Sequence, residues 1–185
     1  MHLNSWFEKA MSYNEYVDQM TRNKEKMLSI YERYHLKDNH VKKLGELQEK
    51  NLRVIALTED WCGDAMVNNP ILMKIAETAN IEVRFLLRDQ NLELMDQYLT
   101  NGKSRSIPIY IFIDKDGKEV AVWGPRAPEV QAFVERERAA LPDKDAPEFA
   151  DKQKEMYRKM SKRFLEDEEL WEKIAASIVE RICDN

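Results

Sequence analysis

The residues best suited to chemistry lie in Trp61-Cys62-Gly63-Asp64-Ala65, just after the apolar run Leu52 to Leu57. A thiol where a strand passes into a helix can serve as a nucleophile. Free backbone N–H groups and the helix dipole at the first turn favour its thiolate. At an exposed site that effect is about 0.3–1 kcal/mol, less than one pKa unit. Asp60 and Asp64 flank the sulfur and oppose it, because like charges disfavour ionisation. The two influences balance, and a thiol near the reference pKa of about 8.5 is still a few per cent thiolate at neutral pH. The chain has 2 cysteines, Cys62 and Cys183, which make no disulfide framework and suit a reducing cytoplasm.

Other chemistries find little support. His2, His35 and His40 share no spacing with acids that would suggest a metal site, so no metal is expected and all three read as surface residues. No glycine-rich phosphate loop or nucleophilic serine motif occurs. The 34 acidic residues outnumber 29 basic ones, with both signs interleaved, so no broad positive field exists for a nucleic-acid backbone. The longest apolar run, residues 107 to 113, is too short to span a bilayer, and the N-terminus lacks a signal-peptide pattern. We therefore expect no nucleic acid or membrane partner and a cytoplasmic location.

The elements around Cys62 follow from periodicity. Tyr13, Tyr16, Val17, Met20, Met27, Tyr31 and Tyr34 mark one face of a helix over residues 12 to 35, and Val41, Leu44 and Leu47 a shorter one. Leu52 to Leu57 and residues 81 to 89 read as buried strands, with a helix between them that contains Pro70 and should kink there. Residues 91 to 99 form a short helix with Asn91 as its N-cap. Lys115-Asp116-Gly117 joins two strands in a hairpin, and a helix follows with Pro128 in its first turn. Beyond a polar connection at residues 142 to 150 comes a helical tail, where Trp171, Ile174, Ile178 and Ile182 form a stripe that packs on the body. Residues 166 to 170 supply acids suited to the first turn of the last helix. The order implies an α/β fold: a βαβ unit and a β-hairpin in one mixed central sheet flanked by helices.

Taken in order, these features resemble thioredoxin. They are a strand ending in Trp61-Cys62-Gly63, a proline eight residues after the cysteine, Ile107-Pro108 opening a strand, the Gly117 hairpin, and Trp123-Gly124. The resemblance covers about residues 51 to 140, and its nearest counterparts are bacterial thioredoxin-like proteins with a WCGDA-type site. It implies one thioredoxin-like domain with helical extensions at residues 1 to 50 and 141 to 185. It also implies a cis Pro108, with Ile107 and Pro108 walling a substrate groove beside Cys62. Two departures stand out. The family's resolving cysteine falls at Ala65, and its buried acid falls at about Ala56, with Glu59 and Asp60 too near the surface to replace it.

Reduction by a Cys-x-x-Cys pair is thus excluded, but exchange through Cys62 alone is not. A mixed disulfide on Cys62 needs a second thiol to break it. That thiol is either a low-molecular-weight co-substrate or Cys183, which nothing in the sequence places near Cys62. Iron–sulfur binding of the monothiol glutaredoxin kind is not expected, because residues 123 to 129 read WGPRAPE, without that family's glycine pair. The expected activity is monothiol thiol–disulfide exchange with protein or small-molecule disulfides, across a groove of Trp61, Gly63, Asp64, Ile107 and Pro108. The rival reading is a peptide- or protein-binding module of the same fold without chemistry.

Overall fold

The computed structural model describes residues 2–184. Helices α1 (Leu3–Lys9), α2 (Tyr13–Gln19), α3 (Lys24–Arg33) and α4 (Asp38–Gly45) come first. Strand β1 (Arg53–Thr58) leads into α5 (Gly63–Ala79) and β2 (Glu82–Leu87). After the short α6 (Leu92–Met95), β3 (Ile109–Ile113) and β4 (Glu119–Trp123) form the hairpin. Helices α7 (Pro128–Ala139), α8 (Phe149–Glu166) and α9 (Glu168–Cys183) complete the chain.

The sheet order is β2-β1-β3-β4, so β1 runs through its middle. It pairs parallel to β2 and antiparallel to β3, with Ala56 opposite Phe85 on one side and Tyr110 on the other. Successive side chains alternate between the two faces. Val54 and Ala56 join the core shared with α3, α5 and α9, while Ile55 and Leu57 join Trp6, Phe7, Leu94 and Met95 on the opposite face. Both faces are covered, which is why β1 reads as an unbroken apolar run. In the hairpin, the Asp114 carboxylate accepts the N–H groups of Asp116 and Lys118, and Gly117 takes a φ of 83° that favours glycine.

The mixed sheet flanked by helices is the architecture that periodicity implied, with several differences in the helices. The segment at residues 12 to 35 is two helices. The chain breaks at Thr21 to Asn23 because the N–H groups of Thr21 and Arg22 turn to the Asp60 carboxylate, and Asn23 adopts a φ of 58°. Helix α1 carries no period that announced it, yet it buries Trp6 and Phe7. Helix α6 ends at Met95; Asn91 holds its N-cap position as expected, but its side chain makes no capping hydrogen bond and its amide donates to Leu87 O instead. Helix α5 contains Pro70, as expected.

The C-terminal tail is two helices, divided at Asp167, whose carboxylate caps α9 by accepting the Leu170 N–H. Trp171, Ile174, Ile178 and Ile182 are buried, and α9 packs against α4, α5, α7 and β4. His40 is buried as well, contrary to its surface reading. It meets the Glu172 carboxylate at 2.5 Å and so ties α4 to α9. Among the described residues, no helix is long and apolar enough to cross a membrane.

Candidate thiol site

Cys62 stands at the N-cap of α5, where the chain leaves β1 and turns into the helix. Its sulfur accepts the Ala65 N–H at 3.5 Å, and its thiol donates to Ile107 O at 3.6 Å. The residue is only 9% exposed. Burial pushes the thiol up to about 11, with the nearby Asp64 carboxylate adding to it. The N–H groups of Ala65 and Asp64 and the Arg126 guanidinium pull the other way. Helix terminus and flanking acids roughly balance; desolvation, which a sequence does not display, decides the outcome. About one molecule in 10⁴ then carries a thiolate at pH 7.

The two flanking acids play different parts. Asp60 does not face the sulfur: its Oδ2 accepts the N–H groups of Thr21 and Arg22 at 2.8 and 3.2 Å, and its carbonyl accepts from Asn23. Asp64 is buried in a bidentate pair with Arg126, at 2.9 Å to Nε and 2.7 Å to Nη2. Burial raises its pKa and Arg126 opposes the rise. Arg126 reaches this place from the loop between β4 and α7 and also donates to Gln131.

Glu59 is buried too, at 7% exposure, which corrects its surface reading. Burial raises its pKa, and its carboxylate accepts the Asp89 N–H at 2.9 Å. Near Ala56, where the thioredoxin resemblance puts an acid, a buried neutral network stands instead. Tyr110 donates to Asn69 at 2.6 Å, Asn69 donates to Thr58, and Tyr16 shares a hydrogen bond with Thr58 at 3.2 Å.

Cys62 opens onto a cavity of about 450 Å³. Trp61, Gly63 and Asp64 share its wall. Ile107 and Pro108 are not among its lining residues, although the Ile107 carbonyl touches the thiol from the other side. The Ile107–Pro108 peptide bond is cis. Behind it Gly124, at a φ of 132°, leaves no room for a Cβ, which would fall 2.2 Å from Pro108 O.

The far wall of the cavity comes from residues that sequence reasoning did not single out: Arg126, Arg138, Tyr157, Met160 and Phe164. In the sequence Arg126 stands in Trp123 to Glu129 with nothing local that pairs it with Asp64, and α8 has no period tying it to Cys62. Cys183 ends α9 with its sulfur 4.0 Å from Lys43 O, and the structure does not bring it to Cys62. Among the described residues, no cluster of three or more His, Cys, Asp or Glu could hold a metal ion.

Comparison with known proteins agrees with this frame. A family described as Thioredoxin matches residues 10–140. The chain belongs to the thioredoxin family. The match begins upstream of the motifs around Cys62 and takes in α2, α3 and α4. No curated protein matches the chain. Two solved structures share the fold across almost the whole length. One is a protein of unknown function from Pseudomonas aeruginosa, 15% identical, with a TM-score of 0.67 over 96% of this chain and 97% of that one. The other is an HIV epitope-scaffold, also 15% identical, with a TM-score of 0.68 over 96% of each chain. At this identity they show the fold alone, which extends beyond the thioredoxin core into α8 and α9.

Proposed function

We propose that this thioredoxin-family protein is a monothiol thiol–disulfide oxidoreductase that uses Cys62 and an external thiol. The observation that carries the reading is the place of Cys62: a sulfur at the first turn of α5, receiving a backbone N–H, on the wall of a cavity large enough for a small disulfide. The reaction takes two steps. Cys62 loses its proton and attacks one sulfur of a disulfide. The new S–S bond forms as the old one breaks, and the departing thiolate takes up a proton. A second thiolate then attacks the mixed disulfide, so Cys62 leaves reduced and the attacking thiol ends in a new disulfide. Ala65 cannot resolve the intermediate, which makes a low-molecular-weight thiol the co-substrate and a reducing compartment such as the cytoplasm the fitting location.

The raised pKa slows this chemistry without abolishing it. Between an ordinary pKa near 9 and about 11 the thiolate fraction at pH 7 falls about 100-fold, while intrinsic nucleophilicity rises about 8-fold. The net penalty is about 12-fold. A second reading, a binding module without chemistry, draws on the same burial and raised thiol pKa.

Intact-mass spectrometry of the reduced native protein exposed to hydroxyethyl disulfide separates the two. The proposal expects an adduct on Cys62 that excess small thiol removes, and its absence in Cys62→Ser but not in Cys183→Ser. A protein whose Cys62 stays unmodified when native, yet reacts when unfolded, is a binding module instead.

A further inference from the structure

The cavity beside Cys62 carries an unused charge. Three charged side chains line it, Asp64, Arg126 and Arg138. Asp64 and Arg126 neutralise each other in a pair whose side chains are 11% and 13% exposed. Among the described residues, the Arg138 guanidinium makes no hydrogen bond or ion pair, and its charge reaches far enough to be felt at Asp64. The lining therefore bears one net positive charge in a chain whose net charge is −5. The remaining wall is mostly apolar, with Trp61 at 44% and Tyr157 at 52% exposure flanking the opening. The Phe164 ring comes within 3.9 Å of the point above Gly63 where a side chain would begin, so α8 stands over the thiol loop.

We propose that this cavity is the subsite for an anionic low-molecular-weight thiol and its disulfide, held by a carboxylate on Arg138 while its sulfur meets Cys62. The proposal rests on the monothiol reading above and adds the class of co-substrate. A volume of about 450 Å³ admits a molecule of tripeptide size or smaller. A carboxylate is selected because a partly exposed guanidinium without a carboxylate partner attracts anions and repels cations. In the step itself, the Cys62 thiolate attacks one sulfur of the symmetric disulfide. Cys62 is oxidised to the mixed disulfide, and the other half departs as a thiolate that is protonated in solvent. The retained half keeps its carboxylate at Arg138, which leaves its sulfur as the target of the resolving thiol.

The test compares three symmetric disulfides on the Cys183→Ser protein: dithiodipropionate (anionic), hydroxyethyl disulfide (neutral) and cystamine (cationic). Adduct formation on Cys62 is followed by intact mass, and each rate is divided by that of the urea-unfolded chain to remove intrinsic reactivity. The expected native order is anion, neutral, cation, with the anion favoured over the neutral reagent by about fivefold and the preference shrinking in about 0.5 M salt. Arg138→Gln should abolish the preference and Arg138→Glu should reverse it. Arg138 is exposed, so neither substitution disturbs the core. Equal normalised rates for all three reagents, or a preference that survives Arg138→Gln, would overturn the subsite while leaving monothiol exchange in place. Failure of every reagent, the neutral one included, would remove both.

Discussion

Replacing Asp64 with Asn should lower the pKa of the Cys62 thiol and speed its alkylation. After burial, the Asp64 carboxylate is the largest influence holding that pKa at about 11, and Arg126 acts against it. Asn removes the negative charge but leaves the guanidinium, so both changes favour the thiolate. A charge at this range is worth about 1–2 pKa units. The midpoint should therefore fall to about 9–10, and alkylation at pH 7 should rise roughly 3- to 12-fold once lower nucleophilicity is allowed for.

Breaking a buried pair also destabilises the fold, by about 3–5 kcal/mol, and local opening could expose the thiol by itself. The double variant Asp64→Asn/Arg126→Gln separates the two effects. It is comparably disrupted, but it lacks the unmasked cation and should alkylate more slowly than the single variant. The assay is the pH dependence of iodoacetamide modification of Cys62, followed by intact mass in a Cys183→Ser background. A midpoint that stays near 11 in Asp64→Asn, or identical profiles for the single and double variants, would refute this electrostatic account.

Other predictions concern stability. The Cys62 pKa is raised in the folded state from an ordinary value near 9 to about 11, so the stability linked to it is present below pH 9 and lost as pH rises through 11. Compared with Cys62→Ala by urea unfolding, the wild type should lose about 2–3 kcal/mol more over that window, and a flat difference would mean the thiol is not desolvated. Gly124→Ala forces a Cβ toward Pro108 O at a φ of 132°, so denaturant titration should show a loss of about 2 kcal/mol or more; unchanged stability would contradict the close approach. Glu172→Ala leaves the buried His40 ring and the Tyr34 hydroxyl without their acceptor, which should cost about 1–3 kcal/mol and lower the Tm by about 3–10 °C in calorimetry.

The helices illustrate how local patterns are overruled. Residues 12 to 35 keep a helical period across the break at Thr21 to Asn23, because the residues on either side face the same core. What splits them is the Asp60 carboxylate, 38 residues downstream of Arg22, whose hydrogen bonds to backbone N–H groups have no trace in periodicity. Glu59 and His40 depart from their surface expectation for a related reason. Their types favour the surface, but each finds a partner contributed by a distant segment, Asp89 or Glu172, that makes burial tolerable.

The sequence by itself determined the frame. The apolar run of β1, the Gly117 hairpin and the order of Trp61, Cys62, Ile107-Pro108 and Trp123-Gly124 pointed to a mixed α/β sheet of the thioredoxin family. These are local properties, in which side-chain type and spacing dictate backbone conformation and burial. Ala65 also excluded reduction by a Cys-x-x-Cys pair at this site. Only the tertiary structure decided the state of that thiol and the shape of the site around it. The Cys62 pKa depends on how much water is excluded and where Asp64 and Arg126 pair, and the cavity depends on α8 folding back over α5. Both arise from contacts between residues far apart in the chain, such as Asp64 with Arg126 and Gly63 with Phe164, and electrostatics and solvent access act through space rather than along the chain.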